Sequence, residues 1–318
     1  MKYIKILSSN IKKEIKYQIY SGVFILMIIT LLIFSGLNLY NQKKLIIQNY
    51  NLFVHTLNEI KKSGINVEKV LMEPLTVEEN NGISKINNVL KLDYNNVALA
   101  VYDLKNPGRI ITNTLKYLSF IFYSFFFSVY GIYIGIYDTK YKTIKIKAVQ
   151  NNWMNILLSK QITMYILSFL IIFIVVFLSI IISFIFYNTF SLDIPINDFK
   201  LLIQPWDTNI ILQFILSLFL SFIFTTFGFY LGILFRGIMY PMLILVLYNF
   251  IFPIFGKYDL RNLISILGHK VFDFYGNFVL FKPEMVSLNL SIILLFIYIF
   301  ISTLFTYTIV KIQSKYID

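Results

Sequence analysis

The sequence has no cysteine, which excludes disulfides, cysteine-ligated zinc or iron–sulfur sites and thiol catalysis. Charge is scarce: Asp, Glu, Lys and Arg make up 14% of the 318 residues, against about a quarter in soluble domains. Histidine occurs twice, at His55 and His269, which are far apart in the chain and more simply read as isolated surface residues than as a metal pair. No G-x-x-x-x-G-K-[ST] run is present, so the chain lacks the glycine cradle and lysine that hold nucleotide phosphates, and any ATP hydrolysis belongs to another subunit. What fills the composition instead is apolar. Hydrophobic residues reach 58% and mean hydropathy is +0.72, values of an integral membrane protein, expected to be all-α from the long apolar runs that follow.

Residues 1–19 carry Lys2, Lys5, Lys12, Lys13 and Lys16 against one acid, Glu14, with Ile4, Leu7, Ile11 and Ile15 at helical spacing. This pattern predicts an amphipathic helix on the inner membrane surface, its lysines toward anionic headgroups. A first span follows over 20–40. It is too long for a cleaved secretory signal and has no small-residue cleavage site after it, so it reads as a retained signal-anchor. Residues 41–112 are polar, with nine basic and seven acidic side chains. Ile47, Tyr50, Val54, Leu57 and Ile60 continue the first helix as an apolar stripe, and turn signals stand at Asn80-Asn81-Gly82 and Asn106-Pro107-Gly108. A small extracytoplasmic domain is expected there.

Further spans are predicted at 115–137, 161–187, 209–235, 239–255 and 286–310, six in all. Lys116 lies at an outer edge, where its stem can reach the interface. Asp193, Pro195, Asp198 and Asp207 mark the loop after the third span, and Arg236-Gly237 a tight turn after the fourth. Pro241 and Pro253 frame the fifth span as helix-end prolines. The segment 256–285 mixes Leu260, Leu263, Ile264, Leu267, Val271 and several Phe with Gly256, Gly268, Gly276 and Pro283; it is too polar to span and too apolar for a free loop, and reads as re-entrant helices in the outer leaflet.

Residues 1–19, 138–160, Arg236 and the tail with Lys311 and Lys315 hold thirteen basic and three acidic residues; the opposite face holds fifteen and thirteen. The positive-inside rule therefore places both termini and the 138–160 segment in the cytoplasm. This asymmetry accounts for the +12 net charge without nucleic acid. The span interiors carry no Asp, Glu, Lys or Arg, the groups ion- and proton-driven transporters commonly hold at membrane depth. An intramembrane enzyme would need a polar catalytic cluster there, and none is visible. Gly131-x-x-x-Gly135 and Gly228-x-x-x-Gly232 allow close helix approach, as static packing or as a moving contact. The many Tyr near span ends suit an aromatic belt.

One basic segment between two apolar runs, Asp138 to Lys160, reads DTKYKTIKIKAVQNNWMNILLSK. It resembles the loop after the second span of type-2 permeases of ABC transporters, where an acid and a Gly-Thr-hydrophobic-Lys run precede a short helix ending in Lys. Asp138 stands for the acid, Thr143-Ile144-Lys145 for the end of the run, and Asn152 to Lys160 for the short helix. The chain departs from the pattern in having Asp rather than Glu and Lys142 in the place of Gly. The family also has an amphipathic helix before its first span and re-entrant helices between its fifth and sixth.

The resemblance implies a permease subunit of an ATP-driven exporter in a bacterial cell membrane, not itself an enzyme, with no cofactor of its own. Its partners would be cytoplasmic ATPase subunits that bind ATP and magnesium, and a second or related permease. Asp138, Thr143, Lys145, Trp153 and Lys160 would couple it to the ATPase, and the cargo would be a hydrophobic or amphipathic substrate such as an antimicrobial peptide or lipid. A different class stays open: a non-transporting membrane sensor or immunity protein that binds a ligand through residues 41–112.

Overall fold

The computed structural model describes residues 2–80, 83–141, 143, 147, 152–190, 194, 195, 198–201, 209–274 and 278–314. Asn81, Gly82, Lys142, Ile144, Lys145, Asp193, Asp207, Gly276 and Lys315, all singled out above, lie outside them. Helices dominate: α1 (Lys2–Tyr20), α2 (Val23–Lys62), α3 (Val67–Met72), α4 (Val89–Lys105), α5 (Pro107–Tyr117), α6 (Tyr123–Lys140), α7 (Trp153–Phe190), α8 (Ile210–Phe235), α9 (Met239–Val246), α10 (Leu260–Val271) and α11 (Leu288–Ser314). π-helical turns at Leu118–Phe122 and Leu247–Ile251 join α5 to α6 and extend α9. A small hairpin, β1 (Val77–Asn80) and β2 (Ile83–Ile86), pairs Val77 with Ile86 and Asn80 with Ile83. The sequence between the two strands, Asn81-Gly82, is the pair best suited to a two-residue connection.

Among the described residues, five helical stretches are long and apolar enough to cross a membrane: Val23–Lys62, Pro107–Lys140, Trp153–Thr189, Ile210–Phe235 and Leu288–Ile312. The chain is thus an all-α, multi-pass membrane protein. The expected fifth span, 239–255, is helical only over Met239–Ile251, about 20 Å at 1.5 Å per residue, short of a hydrocarbon core of roughly 30 Å. Its continuation stops at Pro253, which cannot donate the next helical hydrogen bond. Helix α2 is far longer than one crossing because the Ile47–Ile60 stripe carries the helical period past the apolar run. It ends at Gly64, whose φ of +71° lets Ile65 N–H donate back to the Ile60 carbonyl at 3.3 Å, a turn that a Cβ would strain. A similar break at Gly22, φ +77°, separates α1 from α2.

The chain divides into two compact units, with divisions inside α2, α5 and α7. One unit comprises Met1–Phe34, Leu115–Phe177 and Thr208–Asp318; the other comprises Ser35–Thr114 and Leu178–Asp207. The second unit is wider than the 41–112 domain expected from composition, because the end of α7 joins it. Its core is Leu39, Ile46, Val97, Val101, Leu104, Ile110 and Ile194, each large aliphatic contributing about 1.5–3 kcal/mol on full burial. Phe53 and Phe199 meet edge-on at 5.2 Å beside it. Polar links supplement the core: Ser35 and Ser179 hydroxyls lie 2.6 Å apart, and Ser183 donates to the Leu104 carbonyl at 2.8 Å.

In the first unit α6 and α8 pack backbone to backbone. A Cβ on Gly131 would collide with the Thr225 carbonyl and one on Gly228 with the Ser128 carbonyl; a Cβ on Gly135 would lie 2.9 Å from Phe229 O and one on Gly232 2.6 Å from Ile132 O. The two G-x-x-x-G pairs therefore face each other, because hydrogen in place of a side chain lets the axes approach. Ile132, Ile136, Leu231 and Leu245 pack beside the crossing. Uncharged groups connect the other helices: Gln161 Nε2 donates to Tyr165 and Thr303 hydroxyls at 3.1 and 3.2 Å, and Tyr165 meets Thr226 at 2.6 Å.

The segment 256–285 contains one helix among its described residues, α10. Asp259 caps it, accepting from Arg261 N–H at 2.9 Å. The Arg261 guanidinium reaches back to the carbonyls of Tyr248 and Phe252 at 3.0 and 2.8 Å, satisfying acceptors that the end of the preceding helix leaves open. Burial raises and hydrogen bonds from Arg261 and the Phe255 backbone lower the Asp259 pKa, with a net depression. The Arg261 pKa is raised, the Asp259 carboxylate overcoming the cost of burial.

Candidate functional site

Asp138 lies in the last turn of α6, where the helix dipole disfavours a carboxylate; cations must compensate, and two do. Lys160, about two turns into the next membrane helix, places Nζ 2.7 Å from Asp138 Oδ2. Lys147 places Nζ 2.9 Å from Oδ1. The Thr143 hydroxyl donates to the same Oδ1 at 2.9 Å, and its backbone N–H donates to the Asp138 carbonyl at 3.0 Å, so the chain leaving α6 wraps its own carboxylate. Lys160 also donates to the Ile134 carbonyl, one turn before Asp138 on α6, at 3.1 Å.

A second acid completes the group. Glu14 of α1 accepts from Lys147 at 2.6 Å, and the Lys147 ammonium sits 4.9 Å from the Tyr17 ring centroid. The result is an alternating row, Glu14, Lys147, Asp138, Lys160, with no net charge. Glu14 and Asp138 are each 5% exposed and Lys160 4%. Burial lowers the Lys147 pKa, but the carboxylates of Glu14 and Asp138 more than offset it, and the net shift is upward. Glu14 belongs to a polar stripe, Asn10, Glu14 and Gln18, which forms the buried face of α1; Tyr130 of α6 hydrogen-bonds Gln18. Lys5, Lys12, Lys13 and Lys16 stay exposed, while Leu7, Ile11 and Ile15 are half-buried. Spacing of i, i+4 marks this polar stripe in the sequence, but the apolar stripe competes for attention.

Of the expected coupling residues, Asp138, Thr143 and Lys160 come together. Lys145 lies outside the described residues. Trp153 begins α7, half-buried. Asn152 to Lys160 is no separate short helix: from Trp153 it is the first part of α7, which runs unbroken to Phe190, since Gln161-Ile162-Thr163 contains no helix breaker. Asn152 caps it, its side chain accepting from Met154 N–H at 3.2 Å. Lys140, Tyr141, Asn152 and Met154 are the exposed described residues of this segment, so they, and not the buried lysines, are available to a partner. Gly131, Gly135, Gly228 and Gly232 form the helix crossing described above.

Among the described residues no group of three His, Cys, Asp or Glu could hold a metal ion. His55 faces Glu59 at 3.7 Å on the exposed side of α2. His269 packs edge-on against Phe274 at 4.9 Å.

Fold and site define a multi-pass helical membrane protein with a buried, charge-balanced cluster at one helix end. Comparison of the chain with protein-family models, with curated proteins and with solved structures found no match.

Proposed function

We propose that the chain is the membrane-spanning permease subunit of an ATP-driven exporter of the type-2 ABC class, docking a separate ATPase through the 138–160 segment. The observation that carries this reading is the Glu14–Lys147–Asp138–Lys160 row. It fastens the segment at once to the end of one membrane helix, the start of the next and the amphipathic helix, which is what a device passing motion from a peripheral subunit into the membrane requires. In this reading six spans cross a bacterial cell membrane with both termini inside, the short α9 helix serving as the fifth and α10 as a re-entrant element. ATP and magnesium bind the partner, two permeases surround the pathway, and the cargo is a hydrophobic or amphipathic peptide or a lipid-like compound.

Co-purification tests it. An ATPase should come down with the chain and be lost on deleting Asn152 to Lys160. The sharper variants are Met154→Asp and Tyr141→Asp, both at exposed positions, which should abolish capture while leaving thermal stability unchanged. Retention of the ATPase by both, or no ATPase at all from the native host, would sink the proposal. The second reading, a sensor or immunity protein, is favoured by one observation: the 35–114 and 178–207 unit has a core of its own. Ligand protection without any ATPase partner would support it instead.

A further inference from the structure

Two π-helical turns, at Leu118–Phe122 and at Leu247–Ile251, contribute walls to the same cavity, about 430 Å³ in volume. Ser119 and Phe120 come from the first turn, and Asn249 and Phe250 from the second. Such turns are rare and frequently lie at functional sites. Gly268 of α10 fits the same wall: a Cβ there would come 2.8 Å from the Phe120 ring, so glycine keeps that ring in its place.

Ser119, Ser265, Asn249 and Arg261, four of the polar residues of the lining, already have partners. Ser119 donates to Ser217 at 2.8 Å, Ser265 to the Phe281 carbonyl at 2.8 Å, and Asn249 to the Leu245 carbonyl at 2.9 Å. All five Arg261 N–H donors meet Asp259 or the carbonyls of Tyr248, Phe252 and Pro253. Arg261, the charged residue of the lining, therefore has no N–H left for a charged headgroup, whereas an apolar chain needs none. The rim of the cavity is apolar and open, with Phe250 68% and Val279 71% exposed; in a multi-pass membrane protein, apolar side chains at that exposure suit contact with hydrocarbon.

We infer that this cavity holds the acyl chain of a bilayer lipid. The inference is independent of the ATPase reading, since it concerns no residue of the 138–160 segment.

The test is photolabelling of the purified full chain in detergent with increasing amounts of phosphatidylcholine bearing a mid-chain diazirine, adducts being located by mass spectrometry. Labelling at Phe120 and Ile264, which line the cavity, should saturate and be displaced by unlabelled phosphatidylcholine. Labelling at Phe300, exposed on α11, should rise in proportion to lipid. A Ser124→Trp substitution, which fills the cavity, should remove the Phe120 and Ile264 adducts and leave Phe300 labelled. Absence of adducts at Phe120 and Ile264 in the unmodified chain, labelling there that never saturates, or adducts that persist in a monodisperse Ser124→Trp protein would each overturn the inference.

Discussion

Replacing Asp138 with Asn should destabilise the protein more than any other single change in the charged row, and the reason is which cation it strands. The carboxylate receives Lys160 at 2.7 Å, Lys147 at 2.9 Å and Thr143 at 2.9 Å. Lys147 keeps Glu14 at 2.6 Å after the change, but Lys160, 4% exposed, keeps only the Ile134 carbonyl. An uncompensated buried cation costs about 3–5 kcal/mol. Glu14→Gln leaves Lys147 on Asp138, so it should cost roughly 1–2 kcal/mol. Removing charge and partner together, in Asp138→Asn with Lys160→Met, should recover part of the loss, because a buried pair exchanged for neutral groups is often tolerated. Retention of the monodisperse peak after heating in detergent reads these differences, and a loss of this size lowers the midpoint by roughly 5–15 °C. Midpoints of Asp138→Asn and Glu14→Gln that coincide, or a double variant whose loss equals the sum of the singles, would refute the reasoning.

Gly228→Ala should destabilise by about 3 kcal/mol or more, since the Ser128 backbone cannot yield without separating α6 from α8. Gly36→Ala, with open space around its Cβ, should instead be neutral or stabilise by up to about 1 kcal/mol; the same heating assay distinguishes them. Lys147 has a raised pKa in the fold, so its contribution is fully present below the ordinary lysine value of 10.5 and is lost as pH rises through the higher folded value. Glu14→Gln should move the onset of alkaline unfolding to lower pH, followed by intrinsic fluorescence. Asp259 has a depressed pKa, so its contribution is present above the ordinary 3.8 and lost as pH falls through the lower folded value; Asp259→Asn should flatten the acid limb. Arg261→Lys gives up the planar fork that reaches several carbonyls and should expose the Tyr248–Phe252 amides to faster hydrogen exchange.

Long apolar runs show in the sequence because burial in lipid demands them residue by residue, and the helices over 23–62, 153–190 and 210–235 coincide with those runs or extend them along a continuing stripe. The glycine pairs were legible too, but not that 131 and 135 face 228 and 232, which depends on the register between two helices nearly a hundred residues apart. Ion pairing was hidden for the same reason. Glu14 and Lys147 are 133 residues apart, and local spacing contains nothing that joins them; read locally, Lys147 and Lys160 look like solvated charges that orient the chain. The π-turns leave no trace at all, since Leu118-Ser119-Phe120-Ile121-Phe122 is as good an α-helix as a π-turn by propensity. Nor could composition reveal that 178–207 joins the 35–114 unit, because α7 carries its apolar run through the division without a break.

A buried charged row is a poor way to gain stability, since desolvation consumes most of the attraction. Its presence at the end of α6 is better explained by stiffness. Each ion pair in the row fixes position as well as distance, because a displaced ammonium in a dry site meets an immediate energetic cost, whereas apolar contacts slide with little penalty. Under the coupling proposal, a push on the 138–160 segment would reach α6 through Asp138 without slack, and α6 would carry α8 with it, because backbones in contact at four glycines cannot move apart or past each other without breaking that fit. The same logic explains why α1 buries Asn10, Glu14 and Gln18 in place of its isoleucines: a helix held to α6 and its following segment by polar contacts is committed to one register, and a membrane-surface helix held by apolar contact alone would not be.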